Sequence, residues 1–331
     1  MLLAGDIGGT KTILALYTQE DGPRNPIAQF TYPSTHYDSL EQIVQEFIEQ
    51  SRAKIERATF AVAGPVVAGK AQITNLPWRM EETQLRKTLG LESVKLINDL
   101  VAVGYGVPEL QLEELYTLQE GKPIAGGAIG VVAPGTGLGE TFLTWDGARY
   151  RAHPSEGGHT DFGPTSPLQF GLLRYLQEKF GHVSYERICS GIGIPNIYGY
   201  LKEVGYAEEL ESVTASLEKS TDPTPIIIQA AMSQDNPSDL SRTTLETFID
   251  VLGAEAVNMA LKIMATGGLY LGGGIPPRIL PILANGAFMR SFRDKGRFGD
   301  LLAQMPVHVI LNSKTGLLGA ASHVLGEFEA G

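Results

Sequence analysis

The 331-residue chain has a single cysteine, Cys189. No intrachain disulfide can form, and such cysteine usage fits a reducing compartment. Also missing are an 18-residue apolar run and the basic-then-apolar layout of a signal peptide. The expectation is therefore a cytoplasmic protein without a membrane partner. Positive charge is scarce: 26 Lys and Arg against 37 Asp and Glu leave a net charge of −11. That balance disfavours nucleic acid and anionic membranes as partners. Glycine, by contrast, is plentiful at 39 residues. It gathers at a few turns, which favours close approach of backbone to a ligand. The length exceeds what one core usually covers, so two domains are expected.

The chain begins Met1-Leu2-Leu3-Ala4-Gly5-Asp6-Ile7-Gly8-Gly9-Thr10-Lys11-Thr12 and continues Ile13-Leu14-Ala15-Leu16-Tyr17. The pattern predicts an apolar strand, a glycine turn and a returning strand. Asp6 can hold a hydrated Mg²⁺, Gly8 and Gly9 let N–H groups approach phosphate oxygens, and Thr10 can add a hydroxyl. The same residues can also make an ordinary hairpin turn.

Asp38, with Glu41 three residues on, predicts a helix start, and Leu40, Ile43, Val44, Phe47 and Ile48 fall on one helical face. Thr59 to Pro65 reads as a buried strand, and a short hairpin is expected around Ile73 to Trp78. Glu82 to Leu89 reads as a helix, and Val94 to Asp99 as a strand entering a helix at Leu100. This alternation predicts an α/β layer structure.

Gly127 to Gly139 repeats the plan of strand and glycine turn, returning through Thr141 to Thr144. The repeat predicts two domains with a cleft between their glycine turns. The polar, proline-interrupted stretch 207–239 is expected to be an irregular insertion. Leu240 to Thr266 has helical periodicity, Gly267 to Gly274 is a third strand-to-glycine turn, Val307 to Leu311 a strand, and Gly316 to Phe328 a closing helix.

The turns at Gly8-Gly9, Gly135-Thr136-Gly137 and Gly272-Gly273-Gly274 each follow an apolar strand. The first two can clasp phosphates, and the third opens into Ile275-Pro276-Pro277, an apolar shelf for an adenine. It can equally serve to pack a helix on its strand. Asn98-Asp99 stands at the end of a strand, where α/β folds place ligands. Asp99 can accept a proton from an attacking hydroxyl, with Asn98 bonding a neighbouring one, or it can simply cap a helix. In Glu156-Gly157-Gly158-His159 a carboxylate and an imidazole lie close together. They suit an acid–base pair or a clamp on vicinal hydroxyls; zinc is disfavoured because no cysteine lies nearby. Glu186, by itself, reads as a solvated helix residue.

Taken in order, these motifs resemble the bacterial-type glucokinases of the actin/hexokinase/Hsp70-like ATPase superfamily. The resemblance is carried by Gly5-Asp6-Ile7-Gly8-Gly9-Thr10, Thr74-Asn75-Leu76-Pro77-Trp78, Ile97-Asn98-Asp99 and Gly135-Thr136-Gly137-Leu138-Gly139. Further along it runs through Glu156-Gly157-Gly158-His159, Ser184-Tyr185-Glu186-Arg187, Gly272-Gly273-Gly274-Ile275 and Asp294-Lys295-Gly296-Arg297-Phe298. It implies two ribonuclease-H-like α/β domains of the actin-like ATPase fold with an interdomain cleft. Residues 1–108 with 313–331 would form the small domain and 109–312 the large one.

The implied activity is ATP-dependent phosphorylation of glucose at O6, a glycolytic step, with Asp99 as base. Asn75, Asn98, Asp99, Glu156, His159 and Glu186 would hold the sugar. Asp6, Gly8, Gly9, Thr10, Gly135, Thr136, Gly137, Gly273 and Gly274 would hold ATP, with Mg²⁺ reached from Asp6 through water and no zinc. A homodimer is also implied. Lys11 departs from the Asn that many such glucokinases carry; lysine there also occurs in the related repressor–open-reading-frame–kinase family. That family's cysteine-rich zinc loop after the His159 motif is missing here. A kinase for fructose, mannose or an N-acetylhexosamine is the neighbouring alternative. A non-catalytic sugar sensor is disfavoured, because the first strand begins at about Leu2 and leaves no room for a helix-turn-helix.

Overall fold

The computed structural model describes residues 1–73 and 76–329, with side chains through residue 326. The chain begins with β1 (Leu2–Ile7), β2 (Lys11–Tyr17), β3 (Ala28–Pro33), α1 (Leu40–Ser51) and β4 (Arg57–Val62). A small meander follows, β5 (Val66–Val67), β6 (Lys70–Gln72) and β7 (Arg79–Glu81), then α2 (Glu82–Leu89), β8 (Ser93–Asn98) and α3 (Asp99–Gly106). Next come β9 (Leu115–Gln119), β10 (Ile129–Pro134), β11 (Leu138–Trp145), β12 (Tyr150–Ser155), α4 (Pro167–Phe180) and α5 (Gly193–Glu203). The remainder is α6 (Glu211–Leu217), α7 (Thr224–Met232), α8 (Asp239–Ile263), β13 (Gly268–Leu271), α9 (Leu280–Leu283), α10 (Ala287–Arg293), α11 (Gly299–Leu302), β14 (Val307–Ile310) and α12 (Thr315–Glu329). Among the described residues no helix is long and apolar enough to cross a membrane.

Two compact units result. The first comprises Met1–Glu114, Thr141–Pro154 and Asn312–Gly331, the second Leu115–Glu140 and Ser155–Leu311. In the first unit a five-stranded sheet has the order β3-β2-β1-β4-β8. β1 to β3 pair antiparallel, whereas β1, β4 and β8 are parallel. Strand side chains alternate between faces, and here both faces are covered, so β1 is apolar almost throughout. Leu3 joins one core layer with Leu14, Phe60 and Phe47 of α1. Ala4, on the opposite face, joins Ala15, Ala61, Ala102, Leu317, Ala320 and Ala321. Those small side chains let α3 and α12 lie close to the sheet.

The second unit contains β9, β10, β13, β14 and the first residues of β11, in a six-stranded sheet of order β12-β11-β10-β13-β14-β9 with β10, β13 and β14 parallel; the rest of β11 and nearly all of β12 are counted with the first unit. Its core is organised around α8, whose Leu245, Phe248, Leu252 and Val257 are fully buried.

Several local expectations need correction. Ser39, not Asp38, is the N-cap of α1; the Asp38 N–H instead donates to Gln42 Oε1 at 2.9 Å. Ile48 is only half-buried beside the buried Leu40, Ile43, Val44 and Phe47. The stretch 207–239 is not irregular, since it holds α6 and α7. Pro223 and Pro225 stand at the start of α7, where a missing N–H costs nothing, and Ile227, Ile228 and Ala231 are buried.

Candidate active site

In the first unit the parallel register places Ile7 beside Val62 and Val62 beside Asn98. Asp6 and Asn98 therefore reach the same, C-terminal edge of the sheet, the edge where open α/β sheets take ligands. Asn98, rather than Asp99, is the N-cap of α3: its Oδ1 accepts from Leu100 N–H at 2.9 Å and Val101 N–H at 3.3 Å. Its Nδ2 donates to the Gly64 carbonyl at 3.0 Å and to Asp99 Oδ1 at 2.9 Å. Asp99 Oδ1 also accepts from Leu100 N–H at 3.0 Å. Among the described residues the hydrogen bonds to Asp99 thus converge on Oδ1. Burial, and then the nearby Asp6 charge, push the Asp99 carboxyl up to about 6 despite those hydrogen bonds. Burial raises Asp6 as well, opposed by the cation of Lys11. Lys11 therefore has an electrostatic effect on this carboxylate.

The Gly8-Gly9-Thr10 turn is a hairpin closed by Gly8 N–H donating to the Lys11 carbonyl at 3.0 Å. Ser34 Oγ donates to the Gly8 carbonyl at 2.7 Å, and Ser34 N–H to the Thr10 carbonyl at 3.0 Å. The Gly8 N–H is consequently committed inside the turn, so Gly8 would serve a phosphate by shaping the turn rather than by donating a hydrogen bond. The N-terminal turn of α12 lies against Asp6, where a Cβ on Gly316 would approach Asp6 Oδ2 to 3.8 Å.

In the second unit the turn Gly135-Thr136-Gly137 joins β10 to β11, with Thr136 exposed. It is pinned by Gly135 N–H to the Gly137 carbonyl at 2.8 Å and by Gly191 N–H to the Gly135 carbonyl at 2.7 Å. The third glycine turn lies beside it, since β13 is the parallel neighbour of β10. Gly273 has φ +78°, and a Cβ there would overlap the Pro134 carbonyl, so glycine is required on both counts. Gly274 is exposed, but Ile275 and Pro276 turn inward. The apolar shelf expected from them is therefore not a surface feature.

Glu186, distant in sequence, comes together here with Glu156 and His159. Phe162 N–H donates to the Val183 carbonyl at 2.9 Å and Tyr185 N–H to the Thr160 carbonyl at 3.1 Å. This pairing brings the segment after His159 alongside the segment before Glu186. His159 Nε2 lies 3.9 Å from Glu156 Oε2, and its Nδ1 lies 3.9 Å from Glu186 Oε1. Glu186 Oε2 accepts from Leu138 N–H at 3.0 Å, tying the cluster to the glycine turn. Glu186 is not a solvated helix residue: its side chain is 21% exposed, against 75% for Glu156 and 59% for His159. A half-open set of two carboxylates and an imidazole can accept and donate to several hydroxyls at once. Asn75, the remaining expected sugar contact, lies outside the described residues.

The sequence reading missed a buried pair beneath this cluster. Glu140 on β11 and Glu255 on α8 are almost inaccessible and sense each other's charge. Burial first, then Glu255, push the Glu140 carboxyl up to about 8. The space a Cβ on Gly157 would need is filled by Glu140 Oε2, so the pair lies directly behind the Glu156–His159 turn. A lone acid inside the apolar run Leu252-Gly253-Ala254-Glu255-Ala256-Val257 was the available signal.

Parallel sheets flanked by helices, with glycine turns and acids at their strand ends, define the actin-like ATPase fold on which sugar kinases are built. The glucokinase family model matches residues 3–326, and the chain belongs to the glucokinase family. A glucokinase of Nostoc punctiforme is 44% identical over 97% of this chain and 98% of its own length. One from Trichormus variabilis is 43% identical over 97% and 98%, respectively. Among solved structures, a glucokinase from an Antarctic psychrotroph superposes with a TM-score of 0.84 at 29% identity, covering 98% of both chains.

Proposed function

We propose that this protein transfers the γ-phosphoryl group of ATP to O6 of glucose, with Asp99 as the general base. The observation that carries the reading is Asp99 itself: a half-buried carboxylate fixed through Oδ1 at a helix start and raised to about 6. A base with that value is ionised at neutral pH yet more basic than an ordinary aspartate. Its Oδ2 would take the O6 proton as O6 attacks phosphorus in line. Asn98, Glu156, His159 and Glu186 would hold the other sugar hydroxyls, together with Asn75. Positioning the two reactants can contribute about 7–11 kcal/mol to lowering the barrier.

The phosphate tail is assigned to Gly8, Gly9, Thr10, Gly135, Thr136 and Gly137, with Gly273 and Gly274 beside the nucleotide. The donor set fits Mg²⁺ bound through water. Among the described residues no group of three or more metal-ligating side chains exists, and Asp6 offers a single half-buried carboxylate. Mg²⁺ is commonly held by one or two carboxylates plus substrate phosphates. When bound, the ion would neutralise charge on the transferring phosphates. The assignment extends to a cytoplasmic homodimer serving glycolysis, with 1–108 plus 313–331 and 109–312 as its functional domains. Light scattering tests the dimer. The role of Asp99 is tested by Asp99→Asn: turnover is expected to fall about 10²–10⁴-fold with glucose binding retained, and near-normal turnover would remove the assignment.

A further inference from the structure

At the opposite, N-terminal edge of the first unit's sheet lies a cavity of about 820 Å³ that the proposed chemistry does not use. Arg57 and Ser93, the first residues of β4 and β8, stand side by side in register and line it. Val62 and Asn98 are five residues further along the same strands, roughly 16 Å away. The walls are completed by Lys95 of β8, by Arg149 and Arg151 of the β11–β12 hairpin, and by His323 of α12. The volume falls within the range of small-molecule sites.

Its charge opposes that of the whole molecule. Arg57, Lys95, Arg149 and Arg151 converge on it in a protein of net charge −11. Glu109 also lines it, accepting from Ser322 Oγ at 3.0 Å, and Arg151 Nε donates to Asp146 Oδ2 at 2.6 Å. Arg149 donates to the Gly326 carbonyl, which anchors the hairpin to α12. Lys95 Nζ lies 3.9 Å from Glu82 Oε2, outside the cavity lining, so four cations stand against three acids, of which only Glu109 lines the cavity. The His323 imidazole registers those cations: burial and then Lys95, Arg149 and Arg151 push it down to about 4. His323 is therefore neutral at physiological pH, with Nδ1 3.1 Å from Thr59 Oγ1. Aromatic surface lies alongside the cations. Trp145 and Tyr150 meet edge to face at 5.1 Å, and the Tyr105 ring packs on His323 at 5.0 Å.

We propose that this cavity is a second ligand site, separate from the phosphoryl-transfer residues, for a small phosphate ester carrying a planar ring, of the nucleoside monophosphate class. Guanidinium forks and an ammonium match phosphate oxygens, and the indole and phenol rings offer a face to a planar base. The probe is AMP in metal-free, low-salt buffer, followed by calorimetry and by Trp145 fluorescence. Trp78, the other tryptophan, is buried in the core of the first unit and serves as an internal reference. Saturable binding at low millimolar concentration or below is expected, with quenching that disappears in Trp145→Phe. The double variant Lys95→Gln/Arg151→Gln, checked for folding by circular dichroism and for unchanged glucose kinetics, should bind AMP at least about tenfold more weakly. Absence of saturable binding, or equal affinity in the folded double variant, would overturn the proposal.

Discussion

Asp99 and Glu140 are two carboxyls raised by burial, and they carry opposite pH signatures. Asp99 must lose its proton to act as base, so kcat/KM should fall as pH drops through about 6, approaching tenfold per unit below it. A profile flat between pH 5 and 7 would contradict that role. Folded Glu140 keeps its proton up to about 8, whereas the unfolded chain releases it near 4.5. Between those values the folded state binds more protons, so this residue makes stability decline as pH rises. Glu140→Gln removes that slope. Thermal melts should coincide only near pH 4, below the unfolded value, while at pH 8 the variant should be more stable, by on the order of 2–4 kcal/mol. Parallel curves across this range would show that the buried pair does not share a proton. Glu186 shows where residue-level reading runs short. Ser184-Tyr185-Glu186-Arg187 has no local feature separating a sugar contact from a solvated side chain. Its placement beside His159 comes from the bonds of Phe162 to Val183 and Tyr185 to Thr160, which no periodicity encodes.

Elements were legible where hydrophobic spacing was unambiguous. α1 buries Leu40, Ile43, Val44 and Phe47, and α8 and β14 fall where apolar residues predict them. Boundaries and caps were less so, because Asp38, Ser39, Asn98 and Asp99 are all competent caps and tertiary context selects among them. The prolines of 207–239 looked like breakers, yet they start α7 instead. Close helix packing was equally hidden. A Cβ on Gly319 of α12 would overlap the Ala102 carbonyl of α3, so these helices meet backbone to backbone. Gly319→Ala should force them apart and cost about 1–3 kcal/mol in a chemical denaturation curve. An unchanged midpoint would show that the contact is slack. Since Gly316 on the same helix lies against Asp6, the variant should also lower turnover.

At the scale of the whole molecule, the α/β class, the glycine turns and the acidic strand ends were readable from local patterns. Each depends on strand–turn chemistry written in consecutive residues. What was not readable depends on pairing across long sequence separations: the six-stranded order β12-β11-β10-β13-β14-β9, the Glu140–Glu255 pair, and the basic cavity assembled from β4, β8, the β11–β12 hairpin and α12. Membership of the glucokinase family gives the central claim its sharpest test, steady-state kinetics over a panel of hexoses and phosphoryl donors with the product position identified. The highest kcat/KM is predicted for glucose with ATP, yielding the 6-phosphate. A preference of about tenfold or more for another hexose or another donor, a free-energy difference near 1.4 kcal/mol, would contradict it, as would the absence of phosphoryl transfer.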